Sequence, residues 1–489
     1  MSLGKSAGAE MRVGDTVERF ELEKAWLVDP VSGREGPGEI VVSDGILESV
    51  NWLEGDETAG VDDTGVVVAP GFFDMHAHFR EPGFEDAETV ATGAAAAAHG
   101  GFTTVALMPN TSPAVDDPSV VERIRSAARV AGSPVEVLLY GAVSAGRAGE
   151  QLSAMGELAD AGVLGYSDDG APVKTPRLMR SALLYAGMLG LPIVDHAEDS
   201  ELTAGAEAHE GYVASVLGLA GWPAAGEINA VSRDLAVLAD ALADQPAARL
   251  HVTHVSTAAA LDLIRRARAA GLPITCDVTP HHLAFTDEWI AGARRWSWEA
   301  LGADGSPRDP WADGALTAAP YNTALRVNPP LRTAADAAAC LAALIDGTAD
   351  AVATDHAPHT VVDKEVEFGK AASGISGIET ALGVLLSLVD AGKLSLARAV
   401  AVLTTGPAAV VAAAAGTAAT PAARPRGLVE GAPADLVVFD RADRWQVTAE
   451  SLLSHGKNSP LIGRDVPGRV LLTIAAGRLA YEDPEAGSE

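Results

Sequence analysis

The chain changes texture twice along its length. From about Phe20 to Val68, short apolar runs are broken by turn residues, as in Ala25-Trp26-Leu27-Val28, Glu39-Ile40-Val41-Val42 and Gly65-Val66-Val67-Val68. Such runs predict strands. After Pro70, strand-like runs alternate with Ala-rich runs of helical character. Thr103 to Met108 follows Thr89 to Ala98, and Val135 to Tyr140 follows Val120 to Val130. Pro192 to His196 follows Pro176 to Leu189, Arg249 to His254 follows Glu227 to Ala243, and Asp350 to Asp355 follows Ala334 to Leu344. Beyond about Arg426 the short-strand texture returns, in Ala434 to Phe439 and Arg469 to Ile474.

Strands alternating with helices imply a parallel sheet, and about eight such units imply a closed barrel. The fold class expected is therefore α/β: a (β/α)8 TIM-like barrel with a small β-sandwich formed from both chain ends. The expected boundaries are 12–68 for the first part of the sandwich, 69–425 for the barrel and 426–482 for the second part. The Pro/Ala-rich Ala418 to Pro425 reads as the linker. The Trp-, Gly-, Pro- and Asp-rich Ala291 to Thr323 reads as a long surface loop beside the barrel mouth. The Ala/Val-rich Ala408 to Ala419 is too short and too weakly apolar for a membrane span, so it reads as a globular helix.

Composition narrows the partners. The chain has 489 residues, which exceeds one ordinary core unless that core is a barrel. Acidic residues outnumber basic ones by 66 to 35, for a net charge of −31. Nucleic acid and anionic membranes both call for a basic surface, so neither is an expected partner. An anionic substrate would need a local positive site built against this background. Cys276 and Cys340 lie in apolar surroundings and read as free thiols of a reducing cytosol. Met1 to Glu10 has no apolar signal core, and the expected location is cytoplasmic.

The strongest local signal is His76-Ala77-His78. Residues two apart in a strand point the same way, so both imidazoles address one point, which suits a zinc ion. The pair ends the first strand after the β-rich leader, at the mouth where barrel active sites form. Later strand ends carry further ligand types: His196, His254 and Asp355 close three of the runs above.

At this point a family resemblance becomes visible. Asp74-Met75-His76-Ala77-His78-Phe79-Arg80-Glu81-Pro82-Gly83 resembles the entry motif of the dihydroorotases, within the amidohydrolase superfamily. So do Met108-Pro109-Asn110-Thr111, Tyr166-Ser167-Asp168-Asp169-Gly170, Asp195-His196-Ala197-Glu198-Asp199, His254-Val255-Ser256-Thr257 and Thr279-Pro280-His281-His282-Leu283. Val327-Asn328-Pro329-Pro330-Leu331-Arg332 and Ala353-Thr354-Asp355-His356-Ala357-Pro358-His359 complete the series, which runs from about residue 23 to 482. The resemblance is to the bacterial branch with an aspartate in place of a bridging carboxylated lysine. Adjacent strand-end residues point opposite ways, so one of Asp168 and Asp169 is the bridge; the motif matches Asp169, with Asp168 the alternative.

The resemblance implies the rest of the site. His76, His78 and Asp355 would hold one zinc, His196 and His254 another if two are bound, and Asp169 would be shared. Asp355 would also be the general acid/base. Arg80, Asn110 and His359 would grip a substrate carboxylate, His78 would border the substrate, and Asn328 would contact its ring. Gly374 would make a backbone contact from a mobile loop, where Ser373 replaces the branch's usual Phe. The implied reaction interconverts N-carbamoyl-L-aspartate and L-dihydroorotate in pyrimidine synthesis. The family also implies a homodimer and aspartate transcarbamoylase as a possible partner. The rivals are a hydantoinase- or allantoinase-type cyclic amidase, and an inactive homologue that scaffolds aspartate transcarbamoylase. The other histidines, His99, His209, His251, His281, His282, His356 and His455, read as structural, and Glu198 and Asp199 as supports of the His196 loop.

Overall fold

The computed structural model describes residues 4–5, 11–55, 65–415 and 427–485. The linker read at Ala418 to Pro425 lies outside the described residues. The two β-rich ends pair within one sheet. Its order is Arg478–Glu482, Asp465–Ala475, Leu436–Gln446, Val66–Pro70, Arg19–Asp29, Arg34–Ser43 and Ile46–Trp52. The join is antiparallel, with Leu436 opposite Pro70 and Val438 opposite Val68.

Side-chain alternation gives this sheet two buried faces. Val66, Val68, Leu436, Val438, Leu472 and Ile474 pack with Phe20, Leu22, Leu27 and Ile40. The intervening Val67, Ala69, Val437 and Phe439 join the core of the parallel part of the chain, with Phe72 and Phe102. Bridges from Ile46 to Pro433 and from Thr16 to Arg478 show the sheet curling on itself.

The parallel part begins at Phe72–Ala77. It continues through Phe102–Leu107 and Glu136–Leu139. Bridges from Gly141 to Tyr166 and from Tyr166 to Ile193 carry the pairing across residues 164–167 to Ile193–Asp195. From there it runs through Leu250–Val252, Ile274–Val278 and Ala351–Val352. A bridge from Ala77 to His356 returns it to the first strand. Asp74 reinforces that junction, accepting from the Thr354 amide at 3.0 Å and from its hydroxyl.

Helices separate the strands, and their ends follow local chemistry. Pro118–Ala131 and Pro176–Leu189 start on Asp117 and Thr175 caps with proline in the first turn, and both stop at left-handed glycines, Gly132 and Gly190. Inside the ring, Phe73, Met75, Met108, Tyr140, Val194 and Ala353 pack with Ala408, Val410 and Val411 of the helix Thr405–Ala415. The expected globular helix thus packs into this core through Ala408 to Ala412, and its residues 416–419 lie outside the described ones. Among the described residues, no helix is long and apolar enough to cross a membrane.

The stretch 291–323 is the expected surface loop over 303–321, where most residues are exposed, but not over its beginning. Its first part is buried, with Ala293 fully enclosed beside Trp289, and Phe285, Trp289 and Trp296 stack together. Arg464 lies over the Trp289 and Trp296 rings. Aromatic area is the reason: these rings bury more surface than a loop can leave wet.

Phe439 joins the curled sheet to the parallel core and is fully buried, 6.5 Å from Phe72. Phe439→Ala is expected to cost about 3–5 kcal/mol, read as a lowered midpoint in denaturant unfolding.

Candidate active site

Every sequence-predicted ligand lies at or just beyond a parallel strand. His76 is in Phe72–Ala77 and His78 follows it. Asp169 follows the 164–167 segment, His196 follows Ile193–Asp195, His254 follows Leu250–Val252 and Asp355 follows Ala351–Val352. All six are buried. Arg80, His254 and Asp355 have φ of 60°, 41° and 48°, a left-handed backbone that non-glycine residues adopt at a cost and that clusters at functional sites.

Four imidazoles converge on the Asp169 carboxylate, and Asp355 joins two of them. Asp169 Oδ1 lies 3.5 Å from His76 Nε2, 3.3 Å from His196 Nδ1 and 3.4 Å from His254 Nε2. Its Oδ2 lies 3.6 Å from His78 Nε2. Asp355 Oδ1 is 3.0 Å from His78 Nε2 and 3.5 Å from His76 Nε2. Two groups with metal-ligand geometry result, His76/His78/Asp169 and Asp169/His196/His254, with Asp169 in both. Asp168 turns away, accepting from the Val143 and Ser144 amides and the Ser144 hydroxyl.

In the neutral rings that a bound cation would need, the outer partners take the single proton and leave the inward nitrogens as lone pairs. Asn110 Oδ1, 3.0 Å from His78 Nδ1, is acceptor-only, so Nδ1 carries the proton. Glu198 Oε2 does the same for His196 Nε2 at 2.9 Å. His76 Nδ1 meets Thr253 Oγ1 at 2.7 Å, and that hydroxyl donates to Asp277 at 3.0 Å. Three imidazoles therefore aim lone pairs inward at carboxylate oxygens. His76 Nε2 is buried with no hydrogen-bond partner, and His196 Nδ1 stands 2.9 Å from His254 Nε2. Facing acceptors at these distances need a proton or a cation between them. Four imidazoles with carboxylates are a donor set suited to zinc.

Protons are the alternative to the cation. Burial opposes charge on His76, but Asp169 outweighs it and lifts the pKa to about 9. Burial likewise opposes charge on His196, yet Asp169 and Glu198 lift it to about 10. Burial lowers His78, with Arg80 adding to the effect. Burial pushes Asp355 up, but the His78 hydrogen bond and neighbouring imidazoles win and hold it ionised.

A cavity of about 280 Å³ opens over these groups, and His78, Arg80, Asn110, Asn328, His359, Ser373 and Gly374 all line it. Arg80 Nε donates to the Pro358 carbonyl at 3.1 Å, and no carboxylate lies within ion-pairing distance of its guanidinium among the described residues. Burial lowers its pKa to about 10. Asn328 Nδ2 donates to Glu198 at 2.8 Å, which leaves its buried Oδ1 without a partner. His359 Nε2 donates to Ser373 O at 2.8 Å. Gly374 has φ of 149°, and a Cβ there would stand 2.6 Å from Ala357 O. Its amide is already given to Arg326 O at 2.8 Å, so it offers the cavity no N–H. A larger cavity of about 680 Å³ lies between His99, Glu379, Trp445 and Tyr481, but contains no convergent ligand set.

Two contributors escaped the sequence reading. Asp277, inside Ile274–Val278, accepts from the His254 amide at 2.7 Å, from Thr253 Oγ1 and from His251 Nε2 at 2.8 Å. It thereby orients residues of both ligand groups. Asn458, remote in sequence, bonds the His359 amide and the Ala357 and Gly374 carbonyls. The remaining histidines take other partners: His99 meets Glu379, His209 meets Arg332, and His282 meets Thr279 and Pro329. His281 Nε2 is buried without a partner, outside both ligand groups.

Two outcomes follow. His76 and His196 have raised pKa values, so their rings hold protons through neutral pH and shed them only near 9 and 10. Zinc loading at pH 7 should therefore release protons, and affinity should climb as pH rises toward those values. Calorimetry in buffers of different ionisation enthalpy reads this, and loading without proton release contradicts it. Asp277→Asn should weaken zinc binding by roughly 10–100-fold in a chelator competition, as loss of such outer partners does.

A dihydro-orotase-like family model matches residues 65–260. Proteins named dihydroorotase are similar along nearly the whole chain. That of Anaeromyxobacter dehalogenans (strain 2CP-1) is 44% identical over 467 residues, covering 95% of this chain and 98% of its own. That of Pelotomaculum thermopropionicum is 41% identical, covering 94% and 98%. Among solved structures, the L-hydantoinase of Arthrobacter aurescens superposes with a TM-score of 0.73 at 24% identity, covering 94% of this chain and 96% of its own. The dihydropyrimidinase of Brevibacillus agri gives 0.72 at 20%, with 95% of each chain covered. Identity at that level speaks for the shared fold, whereas the curated relatives speak for the family: the chain belongs to the dihydroorotases.

Proposed function

We propose that the chain is a zinc-dependent dihydroorotase that interconverts N-carbamoyl-L-aspartate and L-dihydroorotate. The scaffold in this reading is a closed (β/α)8 barrel over 69–425, with a β-sandwich from 12–68 and 426–482. The ring of parallel pairings and the curled two-ended sheet support it. His76, His78 and Asp355 would hold one ion, His196 and His254 a second, and Asp169 would be shared. Bound zinc polarises a carbonyl oxygen and lowers the pKa of water to about 7.

The observation that carries the substrate assignment is Arg80. A desolvated guanidinium without a carboxylate partner, on the wall of a cavity, calls for an anion. Dihydroorotate supplies a carboxylate there; hydantoin does not. The free Oδ1 of Asn328 is an acceptor for a ring N–H. Asp355, ionised and buried, is the base. In the hydrolytic direction it accepts the proton released as water adds to the ring carbonyl, then returns it to the leaving ring nitrogen.

Asp355→Asn should lower turnover by roughly 10²–10⁴-fold. Arg80→Met should raise KM by roughly 10–100-fold, with a smaller effect on kcat. Assays of one preparation against dihydroorotate, hydantoin and allantoin, with zinc content measured alongside, test the reading. Faster turnover of hydantoin or allantoin than of dihydroorotate would overturn it.

A further inference from the structure

The segment 371–374, whose Ser373 and Gly374 line the cavity, has no ladder of its own, yet each of its four carbonyls accepts from a side chain elsewhere. Arg326 Nη1 donates to Ala371 O, and Lys364 Nζ to Ala372 O at 2.6 Å. His359 Nε2 donates to Ser373 O at 2.8 Å, and Asn458 Nδ2 to Gly374 O at 3.0 Å. The backbone adds Ala372 N to Asp363 O at 3.1 Å and Gly374 N to Arg326 O at 2.8 Å. Irregular backbone facing a cavity takes its shape from such donors.

Lys364 is the unusual member. It ends the short helix Val361–Lys364 and is only 7% exposed. Lysine is rarely buried without an ion pair, and no carboxylate lies within 4.0 Å of it among the described residues. Its second bond goes to the Thr323 carbonyl at 3.1 Å, and the Thr323 hydroxyl donates back to Lys364 O at 2.7 Å. Thr323 ends the stretch 291–323. Lys364 therefore joins that stretch to the cavity wall. Burial, with Arg326 and Arg80 nearby, lowers its pKa to about 7, so its role is that of a hydrogen-bond donor to the two carbonyls.

We propose that Lys364, together with Arg326, is a positioning residue that straps segment 371–374 into its substrate-binding shape. It acts through the wall and touches no substrate. The inference rests on the dihydroorotase reading for its kinetic arm only.

Two measurements test it: amide hydrogen exchange across Ala371 to Gly374 in substrate-free protein, and KM against kcat for dihydroorotate. Lys364→Met keeps the bulk and removes the donors. It should speed exchange in that segment and raise KM roughly tenfold, with a smaller change in kcat. Lys364→Gln, which restores a donor, should recover part of both. Thr323→Val should shift both in the same direction by less. A folded Lys364→Met with unchanged zinc content, exchange and KM overturns the proposal. If Lys364→Met does not fold, Arg326→Met, which removes the donor to Ala371 O, decides, and unchanged exchange and KM overturn it. If the wild-type protein turns over no dihydroorotate, the functional reading falls and exchange alone decides the strap.

Discussion

The physical constraint at the heart of this molecule is the crowding of acceptors around Asp169. Four imidazoles and a second carboxylate place ring nitrogens and oxygens within 3.6 Å of one another in a buried pocket. The Asn110 amide oxygen and the Glu198 carboxylate can only accept, and Thr253 has its proton committed to Asp277. Those outer bonds turn the inner nitrogens into acceptors. Such an arrangement is stable only when something positive sits among them, and only a scaffold that holds several strand ends rigidly can maintain it.

The scaffold meets that demand with buried carboxylates that tie neighbouring segments together. Asp74 holds Thr354 across the junction of first and last strands. Asp168 gathers Val143 and Ser144, and Asp277 gathers Thr253, His251 and the His254 amide. Glu227 accepts from the amides and hydroxyls of Ser256 and Thr257. Each acidic group takes bonds from the amides and hydroxyls of the segment it faces. Part of the chain's acidity is thus internal framework that fixes where the ligands begin. Charged acceptors of several donors make stronger contacts than neutral ones, and they fix direction as well.

Much of this was legible because it is periodic or local. Unbroken apolar runs in Val66 to Val68 and Leu436 to Val438 mark strands buried on both faces, and His76 with His78 share a direction because strand period is two. The recurrence of ligand types at later strand ends is equally one-dimensional. What escaped depends on where the chain returns. An aspartate within Ile274–Val278 looks like a poor strand residue, and only the neighbouring Leu250–Val252 strand gives Asp277 its donors. Strand direction alone leaves Asp168 and Asp169 open and only the motif match favours Asp169; in the fold, Asp168 goes to Ser144 and Asp169 to the imidazoles. Asn458 lies beyond the Leu436–Gln446 strand, in a stretch that leaves the curled sheet and reaches back to His359.

The acidic balance of the whole chain makes the cavity's cations informative. In a chain of net charge −31, carboxylates are plentiful partners for arginine, as for Arg180 and Arg469. Arg80 and Lys364 instead spend their donors on backbone carbonyls while losing hydration, and burial and mutual repulsion disfavour their charge. Keeping cations unpaired in such a chain is costly unless an anion completes the set. The serine at position 373 fits the same logic. It buries no aromatic ring to weight the wall segment down, and four side-chain donors hold the carbonyls from Ala371 to Gly374 instead. A wall fixed by donors rather than by packing can stay polar where it faces the substrate, which suits a ligand that brings its own charge.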